Sequence, residues 1–217
     1  PMGAVLIAIL ALVVPIVVIC YRELGSFGVS TFMAIIMIVA GFLFSAVAGY
    51  MAGLVGSSNN PISGVTIATV LTSSLLLLAF LGTGSSNGPA AAIIIGAVVC
   101  CAAAIAGDNM QDLKAGYILG ATPRRQQMMQ IIGVTAAALV MAPVLNLLNT
   151  GYGFGAKTEA NPDALTAPQA TLMQSVAEGI FGNSLPLDML FIGAGIGIAI
   201  IILDQIQAAR KASFRLP

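Results

Sequence analysis

Apolar runs of about twenty residues, separated by short polar punctuation, set the rhythm of the chain. The hydrocarbon core of a bilayer is about 30 Å thick and needs roughly 20 helical residues to cross it, so each run reads as a spanning helix. The expected spans are 2–21, 30–55, 61–81, 89–105, 127–148 and 187–206. Pro15 falls inside the first as an expected kink, and Tyr21 with Arg22 closes it as an interfacial anchor. "GTGSSNGP" (82–89) is a turn between the third and fourth. No stretch alternates with a period of two, so no strands are expected.

A longer polar stretch, 149–186, separates the last two runs. It opens as a Gly-rich turn, after which Thr166 with Gln169 predicts a helix cap. Leu172, Met173, Val176 and Ile180 then form one face of a helix, and Gln174, Ser175 and Glu178 the other. Such a segment lies at the membrane interface or lids the bundle. The expected fold class is all-α, a polytopic transmembrane helix bundle of about six spans with polar junctions and one interfacial amphipathic helix. The whole of 1–217 reads as one membrane domain, with 149–186 extramembrane or interfacial.

Small residues recur every four positions along several runs: Gly41, Ser45, Gly49 and Gly53 on the second, Ala92, Gly96, Cys100 and Ala104 on the fourth, Gly193 and Gly197 on the sixth. Lipid supplies no hydrophobic drive between helices, so close backbone approach is what these ridges are expected to serve. Thr66, Thr69, Thr72, Ser73 and Ser74 on the third run are expected to bond back to carbonyls of the preceding turn rather than line a polar pathway.

Composition sharpens the class. Of 217 residues 59% are hydrophobic and only 7% charged, too few to clothe a water-facing surface. Net charge is zero, which gives nucleic acid no purchase, and there is no histidine, the commonest metal ligand and general base. Cys20 and the adjacent pair Cys100 and Cys101 make neither a disulfide framework nor a CxxC site, and read as packing residues. Counting alternate sides, Lys114, Arg124, Arg125, Arg210, Lys211 and Arg215 share one face against Arg22 and Lys157 on the other, which predicts both ends of the segment in the cytoplasm. The chain starts at Pro1 without a charged leader, so no cleavable signal is expected and it reads as a piece of something longer.

Two polar junctions carry the candidate chemistry. "GSSNNPISG" (56–64) joins the second and third spans, with Asn60 expected at the N-cap, Pro61 at N1 and Ser63 at N3. Ser57, Ser58, Asn59, Asn60 and Ser63 exceed what one cap requires. Their amides, hydroxyls and free helix N–H groups suit a cavity that binds carboxylates, with cations at the unwound carbonyls beside it. Plain capping at the membrane surface stands as the equal alternative. "AGDNMQDLKAGYILGATPRRQQ", which begins at Ala106, gathers two of the eight acidic and three of the eight basic residues. Asp108 and Gln111 read as a cap opening a short helix with Met110, Leu113 and Tyr117 on one face. Asp108 and Asp112, four apart, share the other face, an arrangement that makes a protonatable site when desolvated. Lys114 either relieves that pair or faces the headgroups. The preceding run, 17 residues if it ends at Ile105, is short for a span, and short or interrupted helices point to transporter sites.

Together with "LNTGYGFG", "PDALTAPQATLMQSVAEGIF" and the terminal "FRLP", these two motifs resemble the bacterial branch of the oligopeptide transporter family, which also holds the yellow-stripe-like carriers of metal chelates. The similar motifs run in order from Ser57 to Pro217; residues 1–56 match only in hydrophobic character. The resemblance implies a symporter of small peptides or metal–chelate complexes driven by a cation, a proton being the expected one, in the inner membrane. Ser57, Ser58, Asn59, Asn60, Pro61 and Ser63 carry over as one motif, and Gly107, Asp108, Asn109, Gln111, Asp112 and Lys114 as the other. The expected substrate- and ion-binding set is Ser57, Ser58, Asn59, Asn60, Ser63, Asp108, Asn109, Gln111, Asp112 and Lys114, with no resident metal and no cofactor. Expected partners are the substrate, the coupling cation, the bilayer and the remaining helices of a longer transporter, with a homo-oligomer left open.

Enzyme classes fit poorly. An intramembrane aspartyl protease needs G-x-G-D, and Ile105 stands where the first glycine belongs; a rhomboid-type protease needs a histidine base. A passive channel or a non-transporting structural subunit remain the alternatives to a symporter.

Overall fold

In the computed structural model, which describes residues 2–82, 85, 87–155, 157, 161–182 and 187–209, the chain is helical almost throughout. Seven α-helices follow in order among these residues: α1 (Met2–Leu24), α2 (Phe27–Val55), α3 (Ile62–Leu81), α4 (Gly88–Ile118), α5 (Pro123–Gly151), α6 (Pro168–Phe181) and α7 (Leu187–Ala209). No strand occurs among the described residues; Phe154 and Leu165 form an isolated bridge. By length and composition α2, α3, α4 and α5 each suffice to cross a membrane, and α7 carries a shorter apolar stretch, Phe191–Gln207. The protein is a helical, multi-pass membrane bundle. Arg210, Lys211, Arg215 and the "FRLP" end lie outside the described residues.

Residues 1–183 and 184–217 form two separate units. In the first, α4 is the axis, with α1, α2, α3 and α6 packed around it and α5 joined near its C-terminal end. Its buried face is Gly88, Ala91, Ala92, Ile95, Gly96, Val99, Ala103 and Gly107, a row repeating every three or four residues that lets neighbours approach the backbone. Gly96 meets Val70 of α3 so closely that a Cβ there would collide with the valine methyl. On α2 only Gly49 meets a neighbour, with Met110 Cγ 3.5 Å from where its Cβ would be, whereas Gly41 and Gly53 face open space. In the second unit α7 presents Gly193 and Gly197 to nothing among the described residues. The predicted ridge on α4 packs in part: Ala92 and Gly96 are buried, while Cys100 and Ala104 are only half-buried and the buried face shifts to Val99, Ala103 and Gly107. Those on α2 and α7 stay largely unfilled.

Hydroxyls behave as predicted on α3: Thr66, Thr69 and Thr72 each bond the carbonyl four residues back, at 2.8, 2.8 and 2.6 Å. The two serines depart from the pattern: Ser73 bonds Val70 O, three residues back, at 3.2 Å and reaches Ala92 O on α4 at 3.5 Å, and Ser74 Oγ is buried with no hydrogen-bond partner among the described residues. At the opposite end of α4 from Gly107, Asn87 Nδ2 donates to Glu23 O at 2.9 Å, tying α1 to the start of α4. All three cysteines are free; Cys20 is buried in the core, in keeping with a packing role, whereas Cys100 is half-buried and Cys101 exposed.

Three expectations about helix ends are overturned. The fourth helix is not a 17-residue span followed by a short capped one; it runs unbroken through Asp108 for 31 residues, about 46 Å. Nothing between Ala106 and Ile118 forces a stop, since Gly107 and Gly116 take helical geometry. The break waits for Gly120, whose φ of 73° is the left-handed stop of a Schellman turn. There Ala121 N bonds Gly116 O at 2.8 Å and Gly120 N bonds Tyr117 O at 3.3 Å. Asn60 is likewise not the cap of α3. Pro61 occupies that position without a side-chain bond, and the Asn60 amide is used elsewhere. Ala167 rather than Thr166 precedes α6, with Pro168 opening it.

Because lipid gives α3 and α4 no other drive to associate, filling the Gly96 contact should be costly. Gly96→Leu is expected to lower the detergent unfolding midpoint by the equivalent of about 1–3 kcal/mol of overpacking. Val70→Ala in the same chain should recover part of the loss, as read by thermal unfolding of the purified transporter.

Candidate functional site

α2 ends at Val55, Gly56 turns the chain with φ 84°, and a single 3-10 turn, Ser57–Asn59, leads to Asn60 and Pro61. This loop folds against the C-terminal turns of α4. The Ser57 N–H donates to Gln111 Oε1 at 3.2 Å. Asn60 turns inward, its Nδ2 donating to Ala48 O on α2 at 3.1 Å. Its amide lies over Gly107, where any Cβ would collide with it. One polar knot therefore joins the two motifs, with α2, the loop and α4 each contributing.

Two amide oxygens in this region are buried with no hydrogen-bond partner, Asn60 Oδ1 and Asn109 Oδ1. Because the Asn60 nitrogen is committed to Ala48, its oxygen is the free end. Leaving such an acceptor unmet costs about 1–3 kcal/mol, so these atoms suit a donor or cation from outside the described residues.

A second knot forms one turn further along α4. Asp112 Oδ2 accepts from Gln130 Nε2 at 2.9 Å, and Asp112 O accepts from Gln126 Nε2 at 3.1 Å. These two glutamines, four apart on α5, flank a cavity of about 440 Å³ that Asp112, Gly116 and Met129 also line. Gln126 Oε1 is a third buried acceptor without a partner. Sequence reading passed over both glutamines, although their spacing puts them on one face of the helix that follows the acidic pair. Lys114 lies 5.6 Å from the Tyr117 ring centroid, a cation–π contact within α4.

Other predicted residues disperse. Asp108 and Ser58 are exposed, and Asn59 is exposed with its Nδ2 3.5 Å from Val55 O. Ser63 faces away from the first knot, into a cavity of about 380 Å³ with Thr66, Cys100, Gln169 and Met173. Asp108 and Asp112 do occupy neighbouring turns of one helix, but Asp112 is engaged with α5. No group of three or more His, Cys, Asp or Glu side chains able to hold a metal lies among the described residues.

Against known families, the model described as OPT oligopeptide transporter protein matches residues 1–217. The chain belongs to the OPT oligopeptide transporter family. Its members are transporters and not enzymes. A Haemophilus influenzae protein named "Putative oligopeptide transporter" is 40% identical over 205 residues, an alignment covering 87% of this chain and 31% of that protein. The chain thus spans about a third of the length of this curated relative. No solved structure matches.

The contact between Asn60 and Gly107 makes a testable pair. Gly107→Val is expected to displace the Asn60 amide and destabilise the fold, and in an Asn60→Ala background the same change should cost less. Double-mutant unfolding measurements should give a coupling of at least about 0.5 kcal/mol; strictly additive effects would mean that the loop does not dock on α4.

Proposed function

We propose that the chain is the part of a secondary transporter that helps bind and couple a small peptide, or a metal–chelate complex, to the movement of a cation, with a proton as the coupling ion. Family membership supports the transport reading, and the relative's printed name supports a peptide substrate. The observation that carries the site is the docking of the Ser57–Asn60 loop on α4, which unites the two polar motifs around unpaired amide oxygens.

In this reading the first knot supplies neutral ligands: Ser57, Ser58, Asn59 and Asn60 from the loop, Asn109 and Gln111 from α4. Ser63 contributes from the adjacent α3 cavity. Asp108 takes the coupling proton, because Asp112 is already held by Gln130 and serves as the joint between α4 and α5. Lys114 balances charge at the end of the helix. The segment sits in the inner membrane with both ends cytoplasmic, which places the Asp108–Arg125 region on the cytoplasmic side, and it works together with further helices of a longer transporter.

The test is uptake by the complete transporter in proteoliposomes, with and without an inward proton gradient. Wild-type protein should accumulate peptide only with the gradient. Asp108→Asn should cut gradient-driven accumulation at least about tenfold, a loss worth about 1.4 kcal/mol, while leaving peptide counterflow measurable. Unchanged gradient-driven uptake in Asp108→Asn would rule out the assignment, and unchanged uptake in Asp112→Asn as well would remove the acidic pair from coupling altogether. Flux that never accumulates would indicate a passive channel, and no flux of any peptide or metal chelate a structural subunit.

A further inference from the structure

The amphipathic helix α6 does not rest on the end of the bundle. At its C-terminus the Phe181 ring occupies the space beside Gly88, the first residue of α4, where a Cβ would collide with it. At its N-terminus Gln169 and Met173 share a cavity with Cys100 of α4 and with Ser63 and Thr66 of α3. Cys100 lies twelve residues beyond Gly88, about 18 Å along a helix. The 14 residues of α6 cover about 21 Å. It therefore lies along α3 and α4 and runs opposite to α4, over a length that is more than half of a hydrocarbon core of about 30 Å. Ala177, Gly179, Ile180 and Phe181 are buried in this contact.

That placement changes the meaning of Glu178. It is the one charged residue of α6; α3 has none, and α4 has none before Asp108. α6 packs on α3 and α4 alone among the described residues, and the charges nearest the start of α4 on a packed element are Arg22 and Glu23, at the end of α1. Glu178 opens onto a groove of about 650 Å³, with Pro89 and Ile93 of α4 on one wall and Gln174 and Phe181 of α6 on the other. A volume of this order suits a small-molecule ligand. Gln174 turns its Nε2 to Glu178 Oε1 at 2.8 Å, which leaves its own oxygen as a second acceptor. The groove thus offers a carboxylate and an amide oxygen.

We propose that α6 is a re-entrant helix inserted at membrane depth, and that its Glu178 receives the ammonium group of the transported peptide in the groove between α6 and α4. This rests on the peptide-transport reading. A carboxylate held at that depth is costly unless it is paired, and ionisable groups within membranes mark transport paths. An ammonium group brings three donors and a positive charge, matching the carboxylate and the Gln174 oxygen.

The experiment uses the complete transporter in proteoliposomes, with radiolabelled trialanine and N-acetyl-trialanine as probes. Wild-type protein should favour the free-amine peptide at least about tenfold, as expected for a charge-assisted contact worth about 1.4 kcal/mol or more. Glu178→Gln should raise the KM for trialanine and bring the ratio of the two peptides towards one. Glu178→Asp should keep an intermediate ratio, and it reads the same quantity if Glu178→Gln reconstitutes poorly. A wild-type ratio retained in these variants overturns the assignment. Uptake of neither peptide by the wild-type protein overturns the peptide reading itself, and this assignment falls with it. Depth has its own readout. In a cysteine-free background, Gln169→Cys should react with a membrane-impermeant maleimide at least about tenfold more slowly than Lys157→Cys, as for a thiol inserted at membrane depth. Equal rates would return α6 to the surface and overturn its insertion.

Discussion

Close backbone approach along α4 is the constraint on which the first unit depends. Within lipid, apolar side chains gain nothing by leaving the hydrocarbon for one another, so helices are held by contact area at short range and by the few hydrogen bonds between them. The row from Gly88 to Gly107 sets glycines and alanines around the larger Ile95 and Val99, and three different neighbours use its glycines: Phe181 at Gly88, Val70 at Gly96, Asn60 at Gly107. Each enters space that a side chain would occupy. The polar contacts that accompany the row, Ser73 towards Ala92 and Asn87 to Glu23, act at the same helix and secure direction more than affinity.

Continuity of α4 is what turns this packing axis into a functional element. At about 46 Å it exceeds the hydrocarbon thickness of about 30 Å, so its polar last three turns continue a rod whose other end is packed in the core. Gln111 is presented to Ser57, and Asp112 to Gln126 and Gln130, in positions set by that rod rather than by a loop. A helix broken at Ile105 would have left the same residues on a mobile connection. Rigid presentation suits binding, because little ordering remains to be done when the ligand arrives.

Helix identity was legible in the sequence because spans are a matter of length and polarity, and six of the seven helices fall on the apolar runs. The first half of the small-residue ridge of α4, Ala92 and Gly96, was legible for the same reason. A strict four-residue repeat drifts around a helix of 3.6 residues per turn, however, and the buried face moves on to Val99, Ala103 and Gly107 instead of Cys100 and Ala104. Helix ends were not. A D-x-x-Q pattern at Asp108 has the chemistry of a cap, but a cap forms only where the backbone stops, and the stopping residue is Gly120, twelve positions on. Asn60 shows the other side of this: local spacing offered it the start of α3, and a long-range partner, Ala48 O, took its amide instead. The meeting of the two polar motifs and the engagement of Asp112 by α5 are tertiary facts with no local signature, although the spacing of Gln126 and Gln130 hints at a shared face.

Unmet groups in the structure are unevenly placed, and their distribution carries meaning. Three of the five buried side-chain polar atoms without a partner among the described residues, Asn60 Oδ1, Asn109 Oδ1 and Gln126 Oε1, lie at the C-terminal end of α4; Ser74 Oγ on α3 and Gln207 Oε1 on α7 are the others. Free apolar surface gathers elsewhere. α5 has no buried residue, and the glycines of α7 and three of the four on α2 face nothing among the described residues. A stripe of small residues left bare on a spanning helix is a surface prepared for another helix, whereas a buried amide oxygen left bare is a position prepared for a donor or a cation. In a chain that spans about a third of its relative's length, the two kinds of vacancy separate the faces that further helices can cover from the polar end of α4. The acceptors survive this division because a lipid-facing helix surface, being apolar, has nothing with which to satisfy them.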